Sequence, residues 1–183
     1  MSLISNEFIT ELDIPLDYDI LLEIAKSIVS TDKPKSHQHK VEEYEYFKLL
    51  KSKISIFSSK WNFYYYPPHS GLLPHIDARR KATLNIPISG AEESTITYYK
   101  CEDKILDTTF VPEQVLYNIN NNNLKPIYSF KLIHPTLIRT DIPHSVIAGD
   151  IERTIISWSM SPDVTYEQAR SYFTACNSSA RAA

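Results

Sequence analysis

A histidine and an aspartate two residues apart, His75 and Asp77, are the first candidates for chemistry in this chain. In an extended strand, residues two apart lie on the same face, roughly 6–7 Å apart at Cα, and Pro74 bends the chain just before them. Imidazole and carboxylate together suit Fe(II) or Mn(II) better than a thiolate set would. Alone, the pair is more typical of a surface histidine beside a turn aspartate, so other residues must decide.

Another histidine and an arginine occur late in the chain. His144 lies 67 residues beyond Asp77, far enough for the chain to cross a sheet and return facing the first pair. Two histidines and one carboxylate would leave three positions open on a metal. Arg153 follows nine residues later and opens an apolar strand. A buried guanidinium needs an anion, which is either a core Glu or Asp or the carboxylate of a ligand, gripped in the bidentate geometry that Arg favours.

The hydrophobic pattern predicts helices near both ends of the chain and strands between them. Apolar residues at helical spacing predict helices over 17–30 and 41–53, separated by a polar loop over 31–40. Ser161-Pro162 suits a helix start, so the tail from residue 161 is predicted to be helical. An Asn-rich turn is expected over 118–123. Segments rich in Ile, Thr, Tyr and Phe predict strands over 61–66, 73–77, 82–88, 94–99, 107–111, 115–119, 129–133, 137–141, 145–147 and 153–160.

This order of elements favours a mainly β fold with flanking helices, a sandwich or barrel buttressed on one side. A parallel α/β architecture is disfavoured because no helices separate the strands. A length of 183 residues suits one domain with a real core. We therefore predict a single domain, 1–183, with a helical N-terminal part at about 1–55, a β core at about 61–160 and a C-terminal helix at about 162–178.

The combination of His-x-Asp, a late second histidine and an arginine about one strand after it resembles the 2-oxoglutarate/Fe(II)-dependent dioxygenases. The run HIDARRKATLNIPI over 75–88 is also similar to the aspartyl/asparaginyl β-hydroxylase-like and phage-type branch, in which an Arg shortly follows the first metal ligand. The resemblance covers about residues 61–160. It implies a double-stranded β-helix, the jelly roll also called cupin-like.

The resemblance also implies roles for individual residues. His75, Asp77 and His144 would bind the catalytic Fe(II), and Arg153 would pair with the distal carboxylate of 2-oxoglutarate. Arg80 would help to hold the other carboxylate or a substrate carboxylate, with a surface salt bridge as the alternative. Related halogenases lack the carboxylate ligand, so Asp77 favours hydroxylation.

One departure from the family pattern concerns the grip on 2-oxoglutarate. Some relatives place a Ser two residues after the anchoring Arg, whereas this chain has Ile155 there. The second hydrogen bond would then come from Tyr64 or from another polar residue, and core packing is the alternative role for each candidate. The other candidates are Tyr66, Thr83 and Asn85.

The implied activity is hydroxylation of an amino acid, a peptidyl side chain or another small molecule, with Fe(II), 2-oxoglutarate and O2. Two alternatives stay open. One is a catalytically inactive jelly-roll binding protein, and the other is a cupin-like metalloenzyme that does not use 2-oxoglutarate. The sequence leaves the substrate and the oligomeric state unassigned.

The composition limits which binding partners and which cellular compartment are expected. A formal net charge of −3 provides no basic field for a phosphate backbone, so no nucleic acid is expected. Neither a signal peptide nor a transmembrane run is predicted. Cys101 and Cys176 are isolated thiols, which fits a reducing cytoplasm.

His37 and His39 have metal-like spacing but are interpreted as part of a solvated loop, and His69 as part of a turn at the pocket mouth.

Overall fold

The computed structural model describes residues 4–28, 35–77, 80–101, 108–111, 114–117 and 123–180. Its strands form two six-stranded sheets, and every strand pairing within the described residues is antiparallel. The first, here called the major sheet, contains β1 (Ile9–Glu11), β2 (Lys35–Lys40), β3 (Phe57–Tyr66), β5 (Ala82–Ser89), β10 (Thr136–Arg139) and β12 (Arg153–Met160). Their spatial order is β1-β10-β5-β12-β3-β2.

The second sheet, here called the minor sheet, faces the inner side of the major sheet. It contains β4 (Gly71–Asp77), β6 (Thr95–Cys101), β7 (Thr108–Val111), β8 (Gln114–Tyr117), β9 (Leu124–Lys131) and β11 (His144–Ile147). Their spatial order is β7-β8-β4-β11-β6-β9. From β3 to β6, and again from β9 to β12, each strand lies in the opposite sheet to the one before it. This winding is a jelly roll, so the predicted fold class is confirmed.

Three helices support the outer face of the major sheet: α1 (Tyr18–Ile28), α2 (Glu45–Lys53) and α3 (Tyr166–Ala180). Because side chains alternate along a strand, one face of β12 meets the helices while the other meets the minor sheet. On the helix side, Trp158 stacks on Phe57 at 4.2 Å and meets Phe47 of α2 edge-on at 5.2 Å. Each such buried side chain contributes about 1.5–3 kcal/mol, so the helix side is the main core.

The inner face of the same strands is more polar. Thr83 and Asn85 of β5 and Arg153 and Ser157 of β12 are buried there, facing the minor sheet. A core built for stability alone would place apolar groups at these positions. The fold thus places its largest apolar cluster on the helix side, whereas the space between the sheets combines these polar groups with smaller apolar clusters around Ile155 and Ile138.

The N-terminal part departs from the sequence prediction. The loop predicted over 31–40 is wrong in its second half, where β2 (Lys35–Lys40) pairs with β3. Its sequence, KSHQHK, lacks the β-branched and aromatic residues that mark strands, because an edge strand is held mainly by backbone hydrogen bonds. The short β1 was also unpredicted, so the part expected to be helical contributes two strands to the major sheet.

The other described boundaries lie within about five residues of the predictions, and the strand predicted over 61–66 begins earlier, as β3 (Phe57–Tyr66). The helix predicted over 41–53 begins later, as α2, after a 3₁₀ turn at Val41–Glu43. The strand predicted over 129–133 lies earlier, as β9 (Leu124–Lys131). The Asn-rich turn predicted over 118–123 lies outside the described residues except for Asn123. Within the described part of the chain, no helix combines the length and apolar character needed to cross a bilayer.

Candidate active site

Two strands of the minor sheet carry the predicted metal ligands. His75 and Asp77 lie on β4, and His144 begins β11 directly opposite His75. The register then shifts, because Val146 lies opposite Leu72, which leaves one extra residue on β4 between the two pairs. Bulges of this kind re-aim side chains. Leu72, His75 and Asp77 consequently all line one cavity, together with His144.

The two imidazoles are close together, and each is held by a hydrogen bond from Nδ1 to a backbone carbonyl. The ring centroids of His75 and His144 are 4.4 Å apart. Nδ1 of His75 donates to the carbonyl of Leu73 at 2.7 Å, and Nδ1 of His144 donates to that of Ile142 at 2.9 Å. A carbonyl only accepts, so each ring carries its proton on Nδ1 and has a lone pair on Nε2. Metal-binding histidines are commonly held in this way.

Burial keeps both rings neutral. His75 is 2% exposed and His144 is 3% exposed. Burial, followed by the neighbouring His75, lowers the pKa of His144 to about 4. Burial also lowers the pKa of His75, with Asp77 opposing the shift. Neutral imidazole is the form that binds metal.

Asp77 forms a buried ion pair with Arg80. Oδ2 of Asp77 accepts from Nε of Arg80 at 2.7 Å, and Oδ1 accepts from Nη2 at 3.3 Å. The same guanidinium donates to Oη of Tyr64 at 3.1 Å and to Oγ of Ser159 at 3.2 Å. Burial would lower the pKa of Arg80, but Asp77 and Tyr64 raise it above its ordinary value. The side chain of Arg80 is 14% exposed and that of Asp77 is 3% exposed. The pair is therefore not the surface salt bridge that was the alternative role for Arg80.

The donor atoms fit a metal ion in part. Nε2 of His75 and Oδ1 of Asp77 are 4.0 Å apart, whereas two atoms bonded at right angles to one metal at about 2.1 Å each lie about 3.0 Å apart, so the two side chains would have to close by about 1 Å. Among the described residues, however, no group of three or more His, Cys, Asp or Glu side chains is arranged to hold a metal ion as it stands. Arg80 contacts both oxygens of Asp77, so a metal would have to share the carboxylate with Arg80 or displace it.

Arg153 lines the same cavity, and one of its hydrogen-bond donors has no partner among the described residues. It opens β12, is 1% exposed and donates from Nε to Oγ of Ser94 at 3.1 Å. Its guanidinium carbon is 5.5 Å from the centre of the Tyr66 ring. Within the described part of the structure, Nη2 has no hydrogen-bond partner, and no carboxylate lies within ion-pair distance. Burial lowers the pKa of Arg153 to about 10, so it remains charged at neutral pH.

The cavity between these groups is narrow. Its volume is about 40 Å³, room for about three water molecules. The buried oxygens Oγ1 of Thr83 and Oδ1 of Asn85 line it and have no partner among the described residues. Tyr64, Tyr66 and Ile155 complete this part of the wall. All four residues predicted as alternative sources of the second hydrogen bond therefore face the cavity, and Tyr64 already accepts from Arg80.

Ser94, which orients Arg153, was not among the site residues predicted from the sequence. Its hydroxyl donates to the carbonyl of Ala91 at 2.6 Å and accepts from Arg153. The two partners are separated by 59 residues, and no local motif marks the serine. A fold-level alignment of the two sheets would be needed to find it.

His39, His69 and His134 do not line this cavity. His37 and His39 lie on β2 instead of in the predicted solvated loop. The ring of His39 stacks on Trp61 with centroids 4.6 Å apart, and its Nδ1 is 3.1 Å from Oε2 of Glu43. His69 has a positive φ of 58° and a side chain 74% exposed, as its predicted place in a turn requires.

Comparison with known proteins gives a fold relationship. No family model and no curated protein matches the sequence. Among solved structures, the chain is similar to the epimerase SnoN in complex with Fe3+, alpha ketoglutarate and nogalamycin RO. The TM-score is 0.56 at 12% identity, covering 84% of this chain and 78% of that one. At this identity the likeness shows the jelly-roll fold alone.

Two further structures overlap less closely. HygX from Streptomyces hygroscopicus, with nickel and 2-oxoglutarate bound, gives a TM-score of 0.45 at 7% identity, covering 79% of this chain and 76% of that one. Vicilin from Corylus avellana (hazelnut) gives 0.42 at 12% identity, covering 73% of this chain. The chain spans only 30% of the length of that vicilin.

Proposed function

We propose that this protein is an Fe(II)- and 2-oxoglutarate-dependent dioxygenase that hydroxylates an amino acid, a peptidyl side chain or another small molecule. The observation that carries the proposal is the guanidinium of Arg153, buried and charged, with Nη2 unpartnered in the described structure. It lines the same cavity as His75, Asp77 and His144. Arg153 can bind an anion, and the two neutral histidines and Asp77 can bind a metal. The arrangement therefore suits a ligand that contacts a metal at one end and Arg153 at the other.

The residues that would hold Fe(II) are His75 and His144 through Nε2, and Asp77 through Oδ1. The Nδ1 hydrogen bonds to Leu73 and Ile142 would keep both imidazoles in the metal-binding tautomer. When bound, Fe(II) with 2-oxoglutarate and O2 supplies the oxidant for hydroxylation of a C–H bond. The two-histidine, one-carboxylate set suits this role because it leaves metal positions open for both.

Arg153 would bind the distal carboxylate of 2-oxoglutarate. Ser94 holds Nε of the guanidinium, which leaves Nη2 available to the ligand. A charge-assisted hydrogen bond in a dry site is stronger than one between neutral groups. Thr83 and Asn85 present further buried oxygens to the same cavity; the Thr83 hydroxyl could donate to the carboxylate.

Binding requires a rearrangement of Arg80. A cavity of about 40 Å³ is too small for a five-carbon diacid, and Arg80 occupies the carboxylate that would bind iron. A shift of this one side chain would enlarge the cavity and free Oδ1 of Asp77 together. Tyr64 and Ser159 offer hydrogen-bond partners that could hold the guanidinium after the shift.

The proposal is tested by succinate release from purified protein supplied with Fe(II), 2-oxoglutarate and O2, since slow uncoupled turnover needs no known substrate. We expect succinate from the wild type and none above background from His75→Ala and His144→Ala. His69→Ala, which removes an exposed imidazole, is the matched control and should behave like the wild type. No succinate from an iron-loaded wild type would count against the proposal.

A second candidate function is a jelly-roll binding protein without metal chemistry. The observation that favours it is the Asp77–Arg80 pair, which neutralises the buried carboxylate without any metal. Metal analysis after purification with Fe(II) or Mn(II) separates the two functions. A binding protein would retain no stoichiometric metal, whereas the dioxygenase would retain one ion per chain. Metal retention without 2-oxoglutarate binding would instead indicate a cupin-like metalloenzyme of another kind.

A further inference from the structure

A second cavity adjoins the candidate active site. It has a volume of about 450 Å³ and is bounded by β2, β3 and the end of β12. Asn62, which lines it, lies on the same face of β3 as Tyr64, which lines the first cavity. The second cavity thus adjoins the inner face of the major sheet at Asn62, while Lys51 of α2 and Phe57 carry it around the strand ends to the helix side; its size is that of a small-molecule site.

Arg80 forms the partition between the two cavities. It is the one residue that lines both in the described structure. Its guanidinium donates to Tyr64 on the side of the first cavity and to Ser159 on the side of the second. A molecule that fills the second cavity therefore lies one side chain away from His75, Asp77 and His144.

The charge of the second cavity differs from that of the chain. Lys51, Lys60 and Arg80 line it, and none of the described lining residues is Asp or Glu; because Asp77 balances the charge of Arg80, the positive charge of the cavity comes from Lys51 and Lys60. The chain as a whole carries a formal net charge of −3. A concave site with one sign of charge concentrates ligands of the opposite sign. Hydroxyl and amide groups, among them Ser159 and Asn62, add neutral hydrogen-bond donors.

We propose that the second cavity is the substrate site of the dioxygenase and that it selects a substrate carrying a carboxylate or phosphate group. This inference rests on the proposed function. The anionic group binds beside Lys60, whose side chain is exposed at the cavity wall. Lys51 contributes charge from a fixed position, because its Nζ donates to the carbonyl of Phe57. The rest of the substrate reaches past Arg80 towards the metal-binding residues.

The experiment is an NMR titration of the full chain, free of metal and 2-oxoglutarate, with three probes. They are N-acetyl-L-glutamate, its neutral analogue N-acetyl-L-glutamine amide, and glycerol 3-phosphate, which carries a phosphate but no carboxylate. We expect the two anionic probes to shift amide signals of 58–62 and 159–161, and the neutral probe to leave them unchanged. The ratio of the two anionic affinities identifies carboxylate or phosphate as the preferred group.

The variants Lys60→Glu and Lys53→Glu provide matched charge reversals. Both lysines are exposed, so neither change disturbs the core, and Lys53 lies outside the cavity. We expect Lys60→Glu to weaken binding of the anionic probes by about fivefold to tenfold, since single exposed charges contribute modestly. Lys53→Glu should change the affinity for the anionic probes by less than about twofold. Equal effects of the two variants, no anion binding, or shifts confined to the surroundings of Arg153 would each overturn the proposal.

The same samples separate this inference from the proposed function. Binding of Mn(II) and 2-oxoglutarate is measured independently on wild type and Lys60→Glu, and we expect it to be unchanged by the variant. If metal and 2-oxoglutarate bind but the anionic probes do not occupy the second cavity, the substrate assignment fails while the oxygenase survives. If the probes bind but metal and 2-oxoglutarate do not, the oxygenase fails, and with it the substrate role of the cavity.

Discussion

Nε of Arg153 donates to Oγ of Ser94 at 3.1 Å, and the hydroxyl of Ser94 in turn donates to the carbonyl of Ala91. This chain of hydrogen bonds fixes a guanidinium that is 1% exposed. It satisfies one nitrogen and leaves Nη2 without a partner in the described residues. A buried charge that is incompletely paired destabilises the folded chain. We interpret it as a group held ready for an anionic ligand.

Replacing Arg153 by methionine should stabilise the ligand-free protein and strongly weaken 2-oxoglutarate binding. Methionine fills a similar apolar volume without a buried charge, so we expect the free energy of unfolding to rise by about 1–3 kcal/mol. The affinity for 2-oxoglutarate should fall by about a hundredfold or more, because a desolvated charge pair is lost. Chemical denaturation and calorimetric titration measure the two effects.

The control for this variant is Arg139→Met, which removes an arginine paired with the partly exposed Asp141 and Glu167. It should leave 2-oxoglutarate binding unchanged. An Arg153→Met protein that binds 2-oxoglutarate as tightly as the wild type would remove the anchor assignment, whatever its stability.

Arg80→Gln should make the metal-free protein less stable and more dependent on metal. The variant leaves the carboxylate of Asp77, with a side chain 3% exposed, without its cationic partner. Breaking such a pair should cost about 2–3 kcal/mol, somewhat less than for a fully buried pair. A divalent metal offers the same carboxylate a replacement charge, so the metal-induced rise in Tm should be larger in Arg80→Gln than in the wild type.

Thermal denaturation with and without Mn(II) measures this linkage. Arg139→Gln is the matched control, since its partners are more exposed and its loss should stay below about 1 kcal/mol. An equal metal-induced rise in the wild type and in Arg80→Gln would show that Arg80 and the metal do not share Asp77.

Much of the β core was predictable from local sequence. The segment 153–160 alternates Arg, Ile and Ser on one face with Thr, Ile and Trp on the other, and β12 (Arg153–Met160) has the predicted bounds. The strand β2 was not predictable, because its six polar residues have no strand signature and depend on pairing with β3. An alternating pattern with an apolar, aromatic face can be recognised within a short stretch of sequence. The pairing of an edge strand such as β2 depends on the rest of the sheet being in place.

The candidate site was predictable in residue type but not in its contacts. His75, Asp77, His144 and Arg153 line one cavity, while their roles as metal ligands and cosubstrate anchor stay predictions. The Asp77–Arg80 ion pair was missed as a competitor for the carboxylate, because a sequence gives the proximity of two residues but not the direction of a long side chain. The same limit hid Ser94, which meets Arg153 only after the sheets have folded together.

The phenol of Tyr98 should make the protein less stable in alkali. Tyr98 is fully buried, and its hydroxyl lies 2.8 Å from the carbonyl oxygen of Arg139 and 3.1 Å from that of Phe8. Burial raises the pKa of Tyr98 well above its usual value. The unfolded chain ionises this group near pH 10, so its contribution to stability is full below about pH 10 and is lost as the pH rises towards the folded-state pKa.

Tyr98→Phe tests this linkage. At neutral pH the variant should lose about 1–2 kcal/mol of stability, since the hydroxyl proton that the carbonyls of Phe8 and Arg139 share is gone. Between pH 10 and about pH 12 its stability should fall less steeply than that of the wild type, as measured by urea denaturation. Parallel slopes for the two proteins would show that Tyr98 does not account for the alkaline loss.

The central claim is that His75, Asp77 and His144 share one metal ion opposite Arg153. The most direct measurement is a crystal structure of the protein with Mn(II) and 2-oxoglutarate. We predict one ion bonded to Nε2 of both histidines and to Oδ1 of Asp77, with the distal carboxylate of 2-oxoglutarate on Nη2 of Arg153. A cavity without metal, with Arg80 still bound to both oxygens of Asp77 at saturating Mn(II), would contradict the account.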